Sequence, residues 1–230
     1  MFYGWQKVSL IEYPGHIATV LFTGGCNFRC PYCHNPSFAF LSPGLPPLPE
    51  KTILTFLAAR HTMVDAVVLT GGEPLLHAAH LKNFLERVKA LGFLVKMDTN
   101  GSFPDEFSRL NRSNLIDRWG IDFKIPFERY AALTTIEAGT AVRQTLGEAL
   151  QTPDRLEIRT TLYPPSIDRE TLLEMSDELS LATHWFWQNF RNETTLAPVA
   201  RTVIPYSRET ILTWQREIDR KMGREFVVVR

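Results

Sequence analysis

Short apolar segments alternate with helical patterns along this chain, and that alternation restricts the possible fold more than any other feature of the sequence. The apolar segments of strand length include residues 17–22, 66–69, 93–97 and 156–162. Apolar residues recur at helical spacing in residues 78–91 and 207–222. Strands that alternate with helices are typical of a parallel sheet covered by helices.

Two further strands are expected at residues 121–123 and 185–187, and residues 226–229 are a candidate last strand. A helix is expected over residues 168–181. About six strand–helix units are fewer than the eight units of a closed barrel of about 250 residues. The sequence therefore predicts an α/β fold, a partial, open βα barrel of about six units. No domain boundary is apparent, so residues 1–230 are expected to form a single domain.

The charge balance and hydropathy give no indication of a nucleic-acid or membrane partner. Lysine plus arginine and aspartate plus glutamate both number 25, and 44% of residues are hydrophobic. No apolar run approaches the roughly 18 residues that a membrane helix needs. The first residues lack the charged start and apolar core of a signal peptide. We therefore expect a cytoplasmic protein.

All three cysteines, Cys26, Cys30 and Cys33, lie in one short run directly after the first expected strand. A [4Fe–4S] cluster usually takes four cysteines. Three thiolates would leave one iron with an open position, where a substrate or cofactor could bind. The cysteine run therefore favours an iron–sulfur centre with a chemical role.

A zinc site is the alternative interpretation of the same run, with His34 as a fourth ligand beside the three cysteines. Adjacent Cys33 and His34 would both have to turn toward one metal ion, which is awkward. Structural zinc motifs also come more often as two separated pairs. The zinc alternative would make this chain a zinc-binding interaction module.

Polar motifs follow the next expected strands as well. Thr70–Pro74 reads Thr-Gly-Gly-Glu-Pro, Asp98–Gly101 reads Asp-Thr-Asn-Gly, and Asp122–Lys124 reads Asp-Phe-Lys. The carboxyl ends of parallel strands open on the same face of a sheet, where functional sites are built. We therefore expect these motifs to form one site with the cysteines.

Each motif also has a plain structural interpretation. Gly71-Gly72 is an ordinary strand–helix turn, although glycine also lets a ligand approach the backbone, and Glu73 could hold an ammonium group. Asn100 and Gly101 suit a turn. Asp122 and Lys124 could pair with each other. The histidines apart from His34 have no second ligand at metal spacing and are interpreted as surface or core residues.

These motifs together resemble a known family. Cys-x3-Cys-x2-Cys with an aromatic residue before the third cysteine, followed by Gly-Gly-Glu-Pro, is similar to the radical S-adenosylmethionine (SAM) superfamily. Residues 30–36, 98–101 and 122–124 resemble the glycyl-radical-enzyme activases within it. The opening segment Gly4–Gly15 is similar to short activating proteins of anaerobic ribonucleoside-triphosphate reductase.

The resemblance implies an oxidoreductase with a [4Fe–4S] cluster on Cys26, Cys30 and Cys33, and with SAM on the open iron. Reductive cleavage of SAM would give a 5′-deoxyadenosyl radical that abstracts hydrogen from a glycine of a partner enzyme. Cofactor contacts are expected from ten residues: Tyr32, Cys33, His34, Gly71, Gly72, Glu73, Asp98, Asn100, Asp122 and Lys124. Some activases also have a monovalent-cation site, which matches Asp98, Thr99 and Asp122. A histidine after the sixth strand in some activases has no counterpart in residues 187–190.

The implied partner is a glycyl-radical enzyme, with anaerobic ribonucleoside-triphosphate reductase preferred and a pyruvate formate-lyase-type enzyme second. The implied electron donor is a flavodoxin or ferredoxin. The alternative within the superfamily is a radical enzyme acting on a small molecule, such as 7-carboxy-7-deazaguanine synthase.

Overall fold

The computed structural model describes all residues, 1–230. Its strands are β1 (Phe2–Ser9), β2 (Ala18–Thr23), β3 (Ala66–Gly71), β4 (Leu94–Thr99), β5 (Arg118–Asp122), β6 (Leu156–Leu162), β7 (Trp185–Asn189) and β8 (Val227–Val229). Its α-helices are α1 (Pro36–Phe40), α2 (Glu50–Arg60), α3 (Ala78–Ala90), α4 (Pro104–Arg112), α5 (Tyr130–Thr134), α6 (Gly139–Ala149), α7 (Arg169–Asp177) and α8 (Arg208–Met222). Short 3-10 helices lie at Pro74–His77, Phe127–Arg129, Pro153–Arg155 and Pro198–Thr202.

The eight strands follow one another in the sheet in chain order, and the sheet does not close on itself. Strand β2 pairs in parallel with β3, and β3 with β4. Strands β6, β7 and β8 are parallel as well. The predicted α/β class with an open, mostly parallel sheet is confirmed.

The sheet contains the six expected strands, the candidate last strand, which forms β8 beside β7, and one strand that was not expected, β1, which adds an antiparallel edge to β2. Strand β1 has a weak sequence signal. Gln6 and Lys7 in its middle are exposed, and its pairing with β2 is interrupted by register shifts. An irregular edge strand of this kind lacks the apolar alternation that marks a half-buried strand.

Some boundaries also differ from expectation. Strand β5 begins three residues earlier than residue 121, and α7 ends at Asp177, four residues before residue 181. Apolar spacing does not predict α4 or α6, since each buries only two large apolar side chains. These are Phe107 and Leu110 in α4, and Val142 and Leu146 in α6.

The chain divides into two compact units, and the first contains Met1–Asn27, Asn35–Thr99 and Phe103–Gly120. In this unit the first four residues of β3 are all buried, as expected for a parallel strand that is covered on both faces. Helix α2 contributes Ile53 and Leu57 to the core, and α3 contributes Leu81 and Leu85, all with no exposed surface.

The second unit contains Phe28–His34, Asn100–Ser102 and Ile121–Arg230. Its core includes Phe123, Trp185 and Trp187. Helix α7 begins after Asp168, whose side chain accepts a hydrogen bond from Thr171 N at 2.8 Å and so caps the helix. No helix in the chain combines the length and the hydropathy that crossing a membrane requires.

Candidate active site

The predicted site residues are divided between the two units. The first unit holds Cys26, Gly71, Gly72, Glu73, Asp98 and Thr99. The second unit holds Cys30, Tyr32, Cys33, His34, Asn100, Asp122 and Lys124.

In the first unit, the cysteine loop leaves β2 through Gly24 and Gly25 and is held by α1. Gly25 N donates to Phe38 O at 2.8 Å, and Cys26 N donates to Ala39 O at 3.1 Å. Gly25 has φ +87°, in the left-handed region where glycine is favoured. The backbone of the loop is therefore fixed up to the first cysteine.

In the second unit, a tight turn presents the other two cysteines. Cys33 N donates to Cys30 O at 3.0 Å, and Ala197 N donates to Pro31 O at 2.9 Å. Cys30 is buried and Cys33 is half-buried. No three histidine, cysteine, aspartate or glutamate side chains are grouped closely enough to form a preformed metal site. The assignment of the cysteines as cluster ligands therefore rests on their spacing and on the family.

Gly71 and Gly72 form a turn that other residue types cannot easily build. Gly71 has φ +115°. A Cβ on Gly72 would lie 2.0 Å from the carbonyl oxygen of Gly25, which is a backbone atom and cannot move aside alone. Glu73 N donates to the same oxygen at 2.7 Å. The two loops after β2 and β3 are thus in backbone contact, which requires glycine at residue 72.

The carboxylate of Glu73 is buried and serves the local structure. Its Oε1 accepts hydrogen bonds from Leu75 N at 3.0 Å and from Thr99 Oγ1 at 2.7 Å. The side chain therefore caps the short helix after the Gly-Gly turn and connects β3 to the end of β4. Asp98, next to Thr99, forms an ion pair with Lys96, with 2.9 Å between Nζ and Oδ1.

Asn100, in the second unit, forms the turn that its sequence suggests. Its Oδ1 accepts from Ser102 N at 2.9 Å and from Ser102 Oγ at 2.7 Å. Gly101 has φ +77°, and its carbonyl accepts from Thr145 Oγ1 at 2.7 Å. The geometry gives Asn100 a clear structural role at the end of β4.

Asp122 lies between two cations in the second unit. Its Oδ2 is 3.0 Å from Lys124 Nζ, as the pairing interpretation of the sequence suggested. Its Oδ1 accepts from Arg159 Nε and Nη2 at 3.0 and 2.9 Å. Asp122 is thus paired with two cationic side chains, and cations of this kind also suit an anionic ligand group.

Sequence reasoning missed Arg159. A charged residue in the middle of the apolar strand β6 is the signal that could have identified it, since such a charge needs a partner when buried.

The charges of this cluster shift the pKa values of its members. Burial disfavours the charged form of Asp122, but Lys124 and Arg159 outweigh it and lower its pKa from 3.8 to about 2. Burial likewise disfavours the charged form of Lys124, but the charges of Asp122, Tyr32 and Cys30 favour it and raise the pKa of Lys124 well above the usual value. Burial raises the pKa of the Cys30 thiol to about 11, although Lys124 partly offsets it. A thiol with that pKa must lose its proton when it binds iron.

The Asp122 carboxylate is expected to make stability depend on pH in the acid range. Its folded pKa of about 2 lies below the ordinary value of 3.8, so its contribution is complete above about pH 4 and is lost as pH falls toward 2. Asp122→Asn should therefore be less stable than wild type by roughly 1–2 kcal/mol at pH 6, and this gap should narrow at pH 3. Urea unfolding of both proteins at the two pH values measures the gap, and a gap that is constant with pH would contradict the assignment.

Buried polar atoms of the second unit without a hydrogen-bond partner include Tyr32 Oη, Trp187 Nε1 and Asn189 Oδ1. Buried polar atoms are nearly always paired, so atoms left over at a site indicate groups available to a ligand. The Tyr32 ring packs against the Tyr163 ring, with 5.1 Å between the ring centroids. Burial raises the pKa of Tyr32 and the nearby Lys124 partly opposes this, so the Tyr32 hydroxyl lies near that lysine, where it is available to a polar ligand group.

His34 is exposed, and its Nδ1 lies 3.1 Å from the carbonyl oxygen of Thr194. Partial burial of the ring, against the rest of the unit, lowers the pKa of His34, although the hydrogen bond to Thr194 partly opposes this. One ring nitrogen is therefore engaged by the backbone of its own unit.

Comparison with known proteins places this geometry in a family. The sequence profile of the Radical SAM superfamily matches residues 20–173. The chain is 32% identical over 182 residues to “Putative glycyl-radical enzyme activating enzyme MJ1227” of Methanocaldococcus jannaschii, covering 75% of this chain and 72% of that protein. It is 34% identical over 99 residues to the pyruvate formate-lyase-activating enzyme of Clostridium pasteurianum, covering 42% of this chain and 41% of that enzyme.

Solved structures share the fold at low sequence identity. Streptococcus suis SuiB bound to S-adenosylmethionine superposes with a TM-score of 0.67 at 14% identity, covering 92% of this chain and 51% of that one. A domain of pyruvate-formate lyase-activating enzyme from Bacteroides vulgatus superposes with a TM-score of 0.58 at 15% identity, covering 72% of this chain and 99% of that one. This chain thus spans about half the length of SuiB.

The superfamily uses a [4Fe–4S] cluster and S-adenosylmethionine, and these are the cofactors of this chain. The cysteine loop after β2, the Gly-Gly turn after β3 and the profile match over residues 20–173 agree with one another. The chain belongs to the radical SAM superfamily.

Proposed function

We propose that residues 1–230 form a single radical SAM domain that activates a glycyl-radical enzyme by abstracting hydrogen from one of its glycines. The observation that carries the proposal is the run of three cysteines directly after β2, in a chain with no fourth cysteine. The similarity to MJ1227 across 75% of this chain supports the activase class. A cytoplasmic location and a flavodoxin or ferredoxin as electron donor are part of the proposal.

Anaerobic ribonucleoside-triphosphate reductase is the preferred partner, because the segment Gly4–Gly15 is similar to short activating proteins of that enzyme. A pyruvate formate-lyase-type enzyme is the second choice. The match to the Clostridium pasteurianum enzyme over 42% of this chain supports that second choice.

Cys26, Cys30 and Cys33 would hold the cluster and leave one iron free of protein ligands. When bound, the cluster and SAM supply the radical chemistry, in which reductive cleavage of the sulfonium group of SAM gives a 5′-deoxyadenosyl radical. The protein binds, orients and shields these groups. Cys30 gives up its thiol proton on loading, since burial keeps its pKa near 11 in the cluster-free protein.

The remaining site residues would each contact a different part of the cofactor. The backbone around Gly72 would meet the amino group of the methionine part, as the family resemblance implies. Lys124, held at 3.0 Å by Asp122, would attract the carboxylate or the ribose. The buried hydroxyl of Tyr32, without a hydrogen-bond partner, would donate to the cofactor beside Cys33.

Transfer of the radical to a partner is the direct test of this function. Protein with a reduced cluster, mixed anaerobically with SAM and with each candidate partner, should give the doublet of a glycyl radical in electron-spin resonance. We expect the signal with the ribonucleotide reductase and little with the lyase. The same mixture with the Cys30→Ser protein is the control. Cleavage of SAM without a radical on any glycyl-radical enzyme would reject protein activation while leaving the superfamily assignment intact.

A small-molecule substrate is the second candidate function. The chain is 36% identical over 80 residues to the 7-carboxy-7-deazaguanine synthase of Hyperthermus butylicus, covering 35% of this chain and 33% of that enzyme. Turnover of a small heterocyclic substrate in the absence of a protein partner would favour this candidate over the activase.

A further inference from the structure

His77 lies at the end of the short helix that follows the Gly-Gly turn, and its side chain is directed back to the cysteine loop. Its Nε2 lies 2.7 Å from the carbonyl oxygen of Gly24, 53 residues earlier in the chain. A carbonyl oxygen can only accept a hydrogen bond, so Nε2 carries the hydrogen and donates it. Both residues belong to the first unit. The ring therefore connects the loop after β3 to the loop after β2.

The local helix structure does not require this contact. His77 directly precedes α3, at the position where a short polar side chain commonly caps a helix. The His77 side chain makes no capping hydrogen bond to α3, and the residue is half-buried rather than part of the core. The hydrogen bond to Gly24 is therefore the interaction that points to a role for this histidine.

The three backbone carbonyls that precede Cys26 all accept hydrogen bonds from the segment after β3. The pairs are Gly72 N to Thr23 O at 2.9 Å, His77 Nε2 to Gly24 O at 2.7 Å, and Glu73 N to Gly25 O at 2.7 Å. Two of these donors are backbone amides, which every residue type except proline provides. Of the three hydrogen bonds, the middle one depends on the side chain at residue 77.

The backbone at Gly24 has little room to adjust. Gly24 is buried, and a Cβ added to it would collide with the side chains of Leu41 and Tyr3. Its amide is also fixed, since Gly24 N donates to Met1 O at 3.1 Å. A buried carbonyl that loses its donor costs free energy unless another group reaches it. We therefore expect loss of the imidazole to loosen the cysteine loop.

We propose that His77 is a positioning residue for Cys26, because its hydrogen bond to Gly24 fixes the cysteine loop against the Gly-Gly turn. Gly24 is two residues before Cys26, so His77 acts on the thiol through the backbone and not by contact with iron. Groups that orient a metal ligand from behind strengthen metal binding, because the ligand is already in place. The inference rests on the proposed role of Cys26 as a cluster ligand and is independent of the partner enzyme.

Amide hydrogen exchange of the cluster-loaded protein, measured anaerobically by mass spectrometry, tests the effect on the loop. His77→Leu removes the donor and keeps a side chain of moderate size. Exchange in the peptide that contains residues 24–26 should become about tenfold faster, whereas exchange in the peptide of β6 should not change. His77→Ala also removes the donor, adds no bulky apolar group to a half-buried position, and should give the same local increase.

Two matched variants separate the hydrogen bond from other effects of substitution. Glutamine can place an amide N–H near the position of the imidazole Nε2, so His77→Gln should restore slow exchange. His80→Leu makes the same chemical change three residues further along, at an exposed position of α3. This control should exchange like wild type throughout.

The rate of iron loss from the loaded protein to a chelator is the second readout. His77→Leu and His77→Ala should lose iron about tenfold faster than wild type, because Cys26 is then held less firmly. His77→Gln should stay within about twofold of wild type, and so should His80→Leu.

Different outcomes overturn different parts of the inference. Wild-type exchange in residues 24–26 of both donorless variants would overturn the effect on the loop. Equal acceleration in His77→Gln would overturn the hydrogen bond as its cause, and equal acceleration of all peptides would make His77 a residue of global stability. Fast local exchange with a wild-type rate of iron loss would overturn the role toward Cys26. Wild-type protein that takes up no cluster would overturn the proposed function itself, and with it the role of His77 in retaining iron.

Discussion

Cys30→Ser protein, reconstituted anaerobically with iron and sulfide, is expected to hold less than one iron per chain where wild type holds about four. The reason is the ligand count: the chain has three cysteines, so no spare thiol can replace Cys30. SAM cleavage should fall by about a thousandfold or more, because the electron for that step comes from the cluster. Iron analysis, visible absorption and release of 5′-deoxyadenosine measure the loss.

His34→Ala is the matched control for this experiment. His34 is exposed and its Nδ1 is engaged by Thr194 O, so its removal should leave the iron content unchanged. A zinc module with three cysteines and His34 as ligands would behave differently: His34→Ala would weaken the metal site, and the loaded protein would be colourless. A Cys30→Ser protein that still bound four irons would contradict the cluster assignment.

Gly72→Ala is expected to reduce both stability and SAM affinity. The added methyl would lie 2.0 Å from Gly25 O and 2.7 Å from Gly25 C, so two backbone segments would have to separate. Such overpacking typically costs about 1–3 kcal/mol in the free energy of unfolding. SAM affinity should fall by about tenfold or more, since the displaced backbone is the surface proposed to meet the methionine amino group. Urea unfolding and equilibrium dialysis measure the two effects.

Gly147→Ala supplies the matched control, since it makes the same chemical change where there is space. A Cβ at Gly147 meets nothing within 4 Å, and the residue lies in α6. Alanine there should raise stability by up to about 1 kcal/mol through helix propensity and leave SAM affinity unchanged. Equal changes in unfolding free energy and in SAM affinity for the two alanine variants would show that the close approach of Gly72 to Gly25 affects neither quantity.

Local sequence patterns predicted several elements closely. Strand β6 spans residues 156–162 as expected, and α8 ends at Met222, the last residue of the expected helix 207–222. Buried parallel strands and amphipathic helices have strong periodic signals. Strand β1 and helix α4 were missed because an exposed edge strand and a helix with two large apolar contacts leave little periodicity.

Two features of the candidate site follow from the sequence alone. The number and spacing of the cysteines fix the available thiolates, and the Gly-Gly-Glu-Pro run fixes the turn after β3. These features are local in the chain, so the residue types and their spacing are sufficient to specify them.

Only the tertiary structure decided how the charges are partnered. The Arg159 side chain contacts Asp122, which lies 37 residues earlier in the sequence. This contact is possible because Phe123, the residue after Asp122, donates its backbone N–H to the carbonyl oxygen of Arg159. Glu73 reaches Thr99 across 26 residues. Which charge meets which depends on strand neighbours and register, and these are set by packing of segments far apart in the chain. The sequence by itself determined which chemical groups the site contains, and the fold determined which of them are already neutralised and which remain available to the cofactor.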